Sequence, residues 1–229
     1  MQTFSADGRP LQSTQIDRRA RFIVKTYNTL FTAILAFAGI EYALFASGLA
    51  PVIAQFFMGN WLLVLGGFMV IGWFGSRVAH TSESNTAAIA ALSAYVVAEA
   101  IIFVPMLYIA EMTAPGAIQA AGITTIAGFA GLSFVAHYSK RDFSFLGSAL
   151  RFAGIMVLVL IGLSFFTGLQ LGTWFSVGMV LFAGLSILHD TSNILRHYPE
   201  DRHVAAALSL FASVALMFWY VLRLFMSRD

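Results

Sequence analysis

Long apolar runs separated by short polar breaks organise the chain. The first runs from about Val24 to Ala50. Six more follow, from Gln55 to Phe74, Thr86 to Ala110, Ala114 to His137, Phe145 to Phe166, Leu171 to His189 and His203 to Phe225. Pro51, the polar run 82–85, Pro115, Lys140-Arg141-Asp142, Thr167-Gly168 and the stretch from His189 to Arg202 punctuate them. A helix needs roughly 20 apolar residues to cross a bilayer. Membrane β-strands would instead alternate over segments of about ten residues. The runs are continuous and long, which predicts an all-α integral membrane protein, a bundle of seven transmembrane helices. Residues 1–23 are polar and basic and read as a short cytoplasmic tail, mobile in solution. The remaining residues, 24–229, form one transmembrane domain. The first apolar run, at about 26 residues, exceeds the 7–15 of a secretory signal and predicts a retained span.

Composition agrees. Of 229 residues, 59% are apolar and 10% charged, against the roughly 25% charged of a soluble domain. Mean hydropathy is +0.81. These values exclude a soluble globule, a disordered chain and a nucleic-acid binder, and make the lipid bilayer the first partner. There is no cysteine, so disulfides, thiolate nucleophiles and Cys-ligated metals are excluded.

Charge sets an orientation. With seven spans and the amino terminus inside, Arg9, Arg18, Arg19, Arg21, Lys25, Arg77, Lys140, Arg141, Arg151, Arg196 and Arg202 share the cytoplasmic side. Only Arg223 and Arg228, two of the thirteen basic residues, lie opposite. This bias predicts N-in, C-out. Small residues recur every fourth position at Ala90, Ala94 and Ala98, and again at Ala205, Ser209 and Ser213. Such stripes let helix backbones approach closely in lipid.

Ionisable groups inside a membrane cost roughly 2.5–3.5 kcal/mol each on insertion scales, so the exceptions are candidate sites. Glu41 falls in the outer half of the first span, Glu99 near the middle of the third, and Asp190 near the cytoplasmic end of the sixth. Glu41 and Glu99 lie at similar depth, about 20 Å along their helices. They read either as a proton or cation site or as protonated acids in structural hydrogen bonds. Arg77 and Arg151 are end-anchors or charge partners of Asp190. Arg223 is an anchor. Pro105 is expected to kink the third span and free a carbonyl. His189 beside Asp190 makes a pH-sensitive cluster conceivable. No zincin spacing, nucleophile elbow or phosphate loop is present, so an enzyme is not expected.

Three stretches carry a family likeness. They are Gly131-Leu-Ser-Phe-Val-Ala-His-Tyr-Ser-Lys140-Arg141-Asp142-Phe-Ser144, Gly184-Leu-Ser-Ile-Leu-His-Asp190-Thr191-Ser-Asn193, and Ala207-Leu-Ser-Leu-Phe-Ala-Ser213 continuing through Leu222-Arg223-Leu-Phe225. Together they resemble the Bax inhibitor-1 (transmembrane BAX inhibitor motif) family in its bacterial branch. The resemblance implies a seven-helix bundle in a bacterial inner membrane, with no enzymatic cofactor. It implies a pH-sensitive calcium leak or sensor that uses two aspartates, on the sixth and seventh helices, with calcium as the transported or sensed ion. Asp190 matches the first aspartate, and the second position falls at Ser213. A neutral hydroxyl cannot share a proton with Asp190 and is a weaker calcium ligand than a carboxylate. Glu99 is then a candidate replacement for the missing charge. Relatives are also associated with the membrane protease FtsH as binding modulators. In that alternative the amino-terminal tail is the handle for a protease complex.

Overall fold

The computed structural model describes residues 11–60, 66, 77, 84–139, 141–168 and 171–227. Seven helices are present among them, and no strand. They are α1 (Leu11–Ala46), α2 (Ala50–Gly59), α3 (Asn85–Thr113), α4 (Ala117–Tyr138), α5 (Leu146–Thr167), α6 (Thr173–Arg196) and α7 (His203–Met226). All but α2 are long and apolar enough to cross a membrane. The chain is a helical membrane bundle. The expected second span, Gln55 to Phe74, falls mostly outside the described residues. Its first part is α2, which starts earlier than expected because Pro51 stands in its first turn, where a missing N–H costs nothing.

Three further features differ from the sequence pattern. Helix α1 runs back to Leu11, so residues 11–23 are helical and continue the first span. Arg19 explains part of this extension. Its Nε donates to the Leu195 carbonyl at 3.3 Å and its Nη1 to the Tyr198 carbonyl at 2.5 Å. Its guanidinium also lies 5.2 Å from the centroid of the Phe22 ring. A cation on carbonyls at and just past the end of α6 satisfies groups that a helix end leaves open. Helix α6 continues to Arg196, past the expected end at His189. Thr191 and Ser192 are fully buried there, so the polar run packs inside the bundle. Third, the Ala90–Ala94–Ala98 stripe does not pack: Ala90 and Ala94 are exposed, while Ala88, Ala91 and Ala100 face inward. Both alanine sets recur at helical spacing, and only tertiary contacts choose between them.

Helix α7 is the axis of the bundle, with α6, α4, α1 and α3 packed around it. Its small face makes this possible: Ala205, Ala206 and Ala207 are at most 1% exposed, and close backbone approach replaces hydrophobic driving force in lipid. Phe103 joins α3 to α1 and α7 through edge contacts with Phe37 at 5.1 Å and Trp219 at 4.9 Å. Pro105 sits within α3 without ending it. Helix α5 is peripheral and packs on α6, turning its apolar face outward through Phe152, Ile155 and Phe166. At its carboxyl end Gly168 has φ +71°, a left-handed turn that other residues adopt at a cost.

The two ends of the bundle differ in charge. The start of α1, the α4–α5 loop and the α6–α7 loop meet at one end, through Arg19 and through contacts of Asp142 with Ser192 and His197. Among the described residues this end holds Arg18, Arg19, Arg21, Lys25, Arg141, Arg196 and Arg202. At the opposite end Arg223 donates from Nη2 to the Leu171 carbonyl at 2.7 Å, tying α7 to the α5–α6 connection.

Candidate functional site

The extension of α6 keeps Asp190 within the bundle, where α7 runs alongside. The Ser213 hydroxyl donates to Asp190 Oδ2 at 2.8 Å. Ser213 is 8% exposed and Asp190 is half-buried. Together they form part of an open cleft of about 320 Å³, walled by Gly147, Leu150 and Arg151 of α5 and by Ser186 and His189 of α6. The two sequence positions that the family likeness pairs are therefore in direct contact.

The other cleft residues have defined partners. Arg151 Nε donates to the Gly147 carbonyl at 3.2 Å, on the α5 wall of the cleft that Asp190 lines from α6. His189 Nδ1 lies 3.3 Å from the Phe143 carbonyl. A carbonyl only accepts, so Nδ1 carries the proton and Nε2 is left toward α5. The ring lies against Gly147, where an added Cβ would come within 2.9 Å of Cε1. Gly147 is thus a point of close approach of α5 to the site. The neighbouring Thr191 hydroxyl is buried with no partner among the described residues.

Glu99 and Glu41 are elsewhere. Neither lines the Asp190 cleft. Glu99 is 4% exposed and bonds the Tyr95 hydroxyl one turn earlier on α3. Glu41 is 6% exposed. Neither of its carboxyl oxygens has a hydrogen-bond partner among the described residues, so it does not share a proton directly with Glu99. An ionised carboxylate without a partner is costly in such surroundings. Arg77 is helical and exposed, and the segment around it lies outside the described residues. Among the described residues no three His, Asp or Glu side chains converge to hold a metal ion.

A second polar cluster lies at the basic end, and the sequence pattern does not single it out. Asp142 Oδ1 accepts from the Ser144 amide at 2.9 Å and from the Ser192 hydroxyl at 3.2 Å. Its Oδ2 is 2.6 Å from His197 Nε2. The Phe143 amide donates to Ser192 Oγ at 3.0 Å, and Arg196 Nη2 to the Ser139 carbonyl at 2.8 Å. The hydrogen bonds to Asp142, that from His197 first, hold its carboxyl well below the usual range. Tyr198, in the α6–α7 loop, hydrogen-bonds Ser209, and burial pushes its phenol up to about 12. Asp142 followed by Ser144 is an Asx-turn signal that the sequence offers. Its pairing with Ser192 and His197, some fifty residues on, is not readable from spacing.

The comparisons with known proteins agree with this architecture. The family model described as "Inhibitor of apoptosis-promoting Bax1" matches residues 19–229. An uncharacterised protein of Neisseria meningitidis is 29% identical over 212 residues, 90% of each chain. Protein lifeguard 4 of Mus musculus is 35% identical over 104 residues, a match spanning 44% of this chain and 43% of that protein. A Vibrio cholerae protein described as an uncharacterised membrane protein is 35% identical over 103 residues, 44% of each. By the extent of that family match, the chain belongs to the Bax inhibitor-1 family of membrane proteins.

Proposed function

We propose that the protein is a cation leak of the bacterial inner membrane, passing calcium or protons, with Asp190 as the cation-attracting group and Ser213 as its restraint. The observation that carries this reading is the Ser213–Asp190 hydrogen bond of 2.8 Å at an open cleft. An ionised carboxylate in a cleft attracts cations. One carboxylate and one hydroxyl make a weak site for calcium, which prefers six to eight oxygens. Weak binding suits passage, since a conducted ion has to leave as well as enter. Protonation of Asp190 removes the attracting charge, so flux falls as the medium becomes acidic. Glu99 and Glu41 have no place in the entry step in this reading.

The alternative, a modulator of an FtsH-type protease held by the amino-terminal tail, has less support. Helix α1 begins at Leu11 and Arg19 is engaged with α6 and the loop after it.

Calcium-sensitive dye trapped in liposomes containing the purified chain tests the proposal. Flux above that of empty vesicles is expected, falling as pH falls. Asp190→Asn keeps an acceptor for Ser213 and removes the charge, so it is expected to lower flux to the empty-vesicle level at every pH. Wild-type flux no greater than that of empty vesicles counts against transport. Undiminished flux in the D190N variant counts against Asp190 as the attracting group.

A further inference from the structure

A groove of about 380 Å³ runs between α1 and α3, separate from the Asp190 cleft, with the start of α7 at its basic end. Its walls include Thr29, Ala36 and Ile40 of α1 and Ile89, Leu92 and Val97 of α3. The threonines add little polarity. Thr29 donates to the Lys25 carbonyl at 2.8 Å and Thr32 to the Asn28 carbonyl at 2.9 Å, so both hydroxyls are satisfied by their own helix. From Thr29 to Ile40 the groove extends about 16 Å at 1.5 Å per residue. That is roughly half of the ~30 Å hydrocarbon core, the depth of one leaflet.

The same stripe of α1 changes character at the basic end. Arg18, Arg21 and Lys25 precede Thr29, Thr32 and Ala36 at three- and four-residue spacing, which places them on one helix face. Arg18, Arg21 and Lys25 are exposed. Lys25 also lies within electrostatic reach of His203, which lines the groove on α7. Cations at headgroup depth, leading into an apolar channel one leaflet long, are complementary to an anionic head on an acyl chain. We propose that this groove binds an anionic phospholipid, with one acyl chain between α1 and α3 and the phosphate on Lys25 and Arg21. Basic residues close to the membrane surface attract anionic headgroups. The site shares no residue with the Asp190 cleft, and its occupancy does not depend on transport.

Native mass spectrometry of the full chain in detergent tests this, with dioleoyl phosphatidylglycerol and dioleoyl phosphatidylcholine as probes. The wild type is expected to retain one phosphatidylglycerol several-fold more strongly than phosphatidylcholine. Arg21→Ala combined with Lys25→Ala abolishes that preference. Ala36→Phe, at an exposed groove position, fills the channel and lowers retention of both lipids. Glycerol 3-phosphate, the headgroup chemistry without the chain, does not displace the bound lipid. Equal retention of the two lipids by the wild type, an unchanged preference in the double variant, undiminished retention in A36F, or displacement by glycerol 3-phosphate would each overturn the proposal.

Discussion

A hydroxyl facing a carboxylate behaves differently from two facing carboxylates. Two carboxylates repel when both are ionised, whereas Ser213 bonds Asp190 most strongly when Asp190 is charged. The contact joins α6 to α7 at 2.8 Å. Interhelical hydrogen bonds in membranes are worth about 0.6 kcal/mol on average and up to about 1.7. Ser213→Ala is therefore expected to destabilise the bundle by about 1 kcal/mol, read as a lowered midpoint of thermal unfolding in detergent. At the basic end, Asp142 has a depressed carboxyl pKa. A depressed group stabilises the fold above its unfolded pKa of about 3.9, and that stability is lost only as pH falls through the lower folded value. Hydrogen exchange at the Phe143 and Ser144 amides is expected to stay slow down to about pH 4, and to rise at neutral pH in Asp142→Asn. Asp190 and Ser213 are legible as a pair because a family pattern places them together. Asp142 is not, because its partners Ser192 and His197 become neighbours only when α6 folds back along the α4–α5 loop.

At the scale of elements, α5 is the loosest wall of the cleft and α7 the tightest core. The α5–α6 contact depends on Gly147, where an added Cβ would lie 2.9 Å from His189. Gly147→Ala is expected to push the ring off the Phe143 carbonyl or to part the helices, and to speed hydrogen exchange over 143–151. On α7, Ala206 is fully buried, and added volume in a packed core costs typically about 1–3 kcal/mol. Ala206→Leu is expected to lower the thermal midpoint, while Ala90→Leu, on the exposed face, leaves it unchanged. Hydropathy locates the six long helices to within a few residues at most of their ends. It fails where polar residues are buried. The Asp190–Asn193 run reads as the end of a span because Thr191 and Ser192 are hydrophilic, yet both lie inside the bundle. It also fails at α1, where basic residues that read as a tail belong to a helix docked by Arg19. The Ala90 and Ala88 faces share one helical period, so periodicity does not choose between them.

For the whole molecule, the charge difference between the two ends is the largest-scale feature. The basic end gathers the start of α1 and the loops around Asp142 and Asp201, and basic ends face the cytoplasm. Because the chain contains no cysteine, single cysteines report this without background. Asp201→Cys is expected to resist a membrane-impermeant thiol reagent applied to intact cells, and Ser47→Cys to react. On the proposed function, the cleft at Asp190 opens toward the cytoplasm and the α6–α7 hydrogen bond restrains passage beyond it. Flux through Ser213→Ala liposomes, compared with wild type at the same pH and protein density, tests that claim most directly. Removing the hydroxyl while keeping the Asp190 charge is expected to raise calcium flux several-fold. Flux in S213A equal to or below that of the wild type would contradict the account.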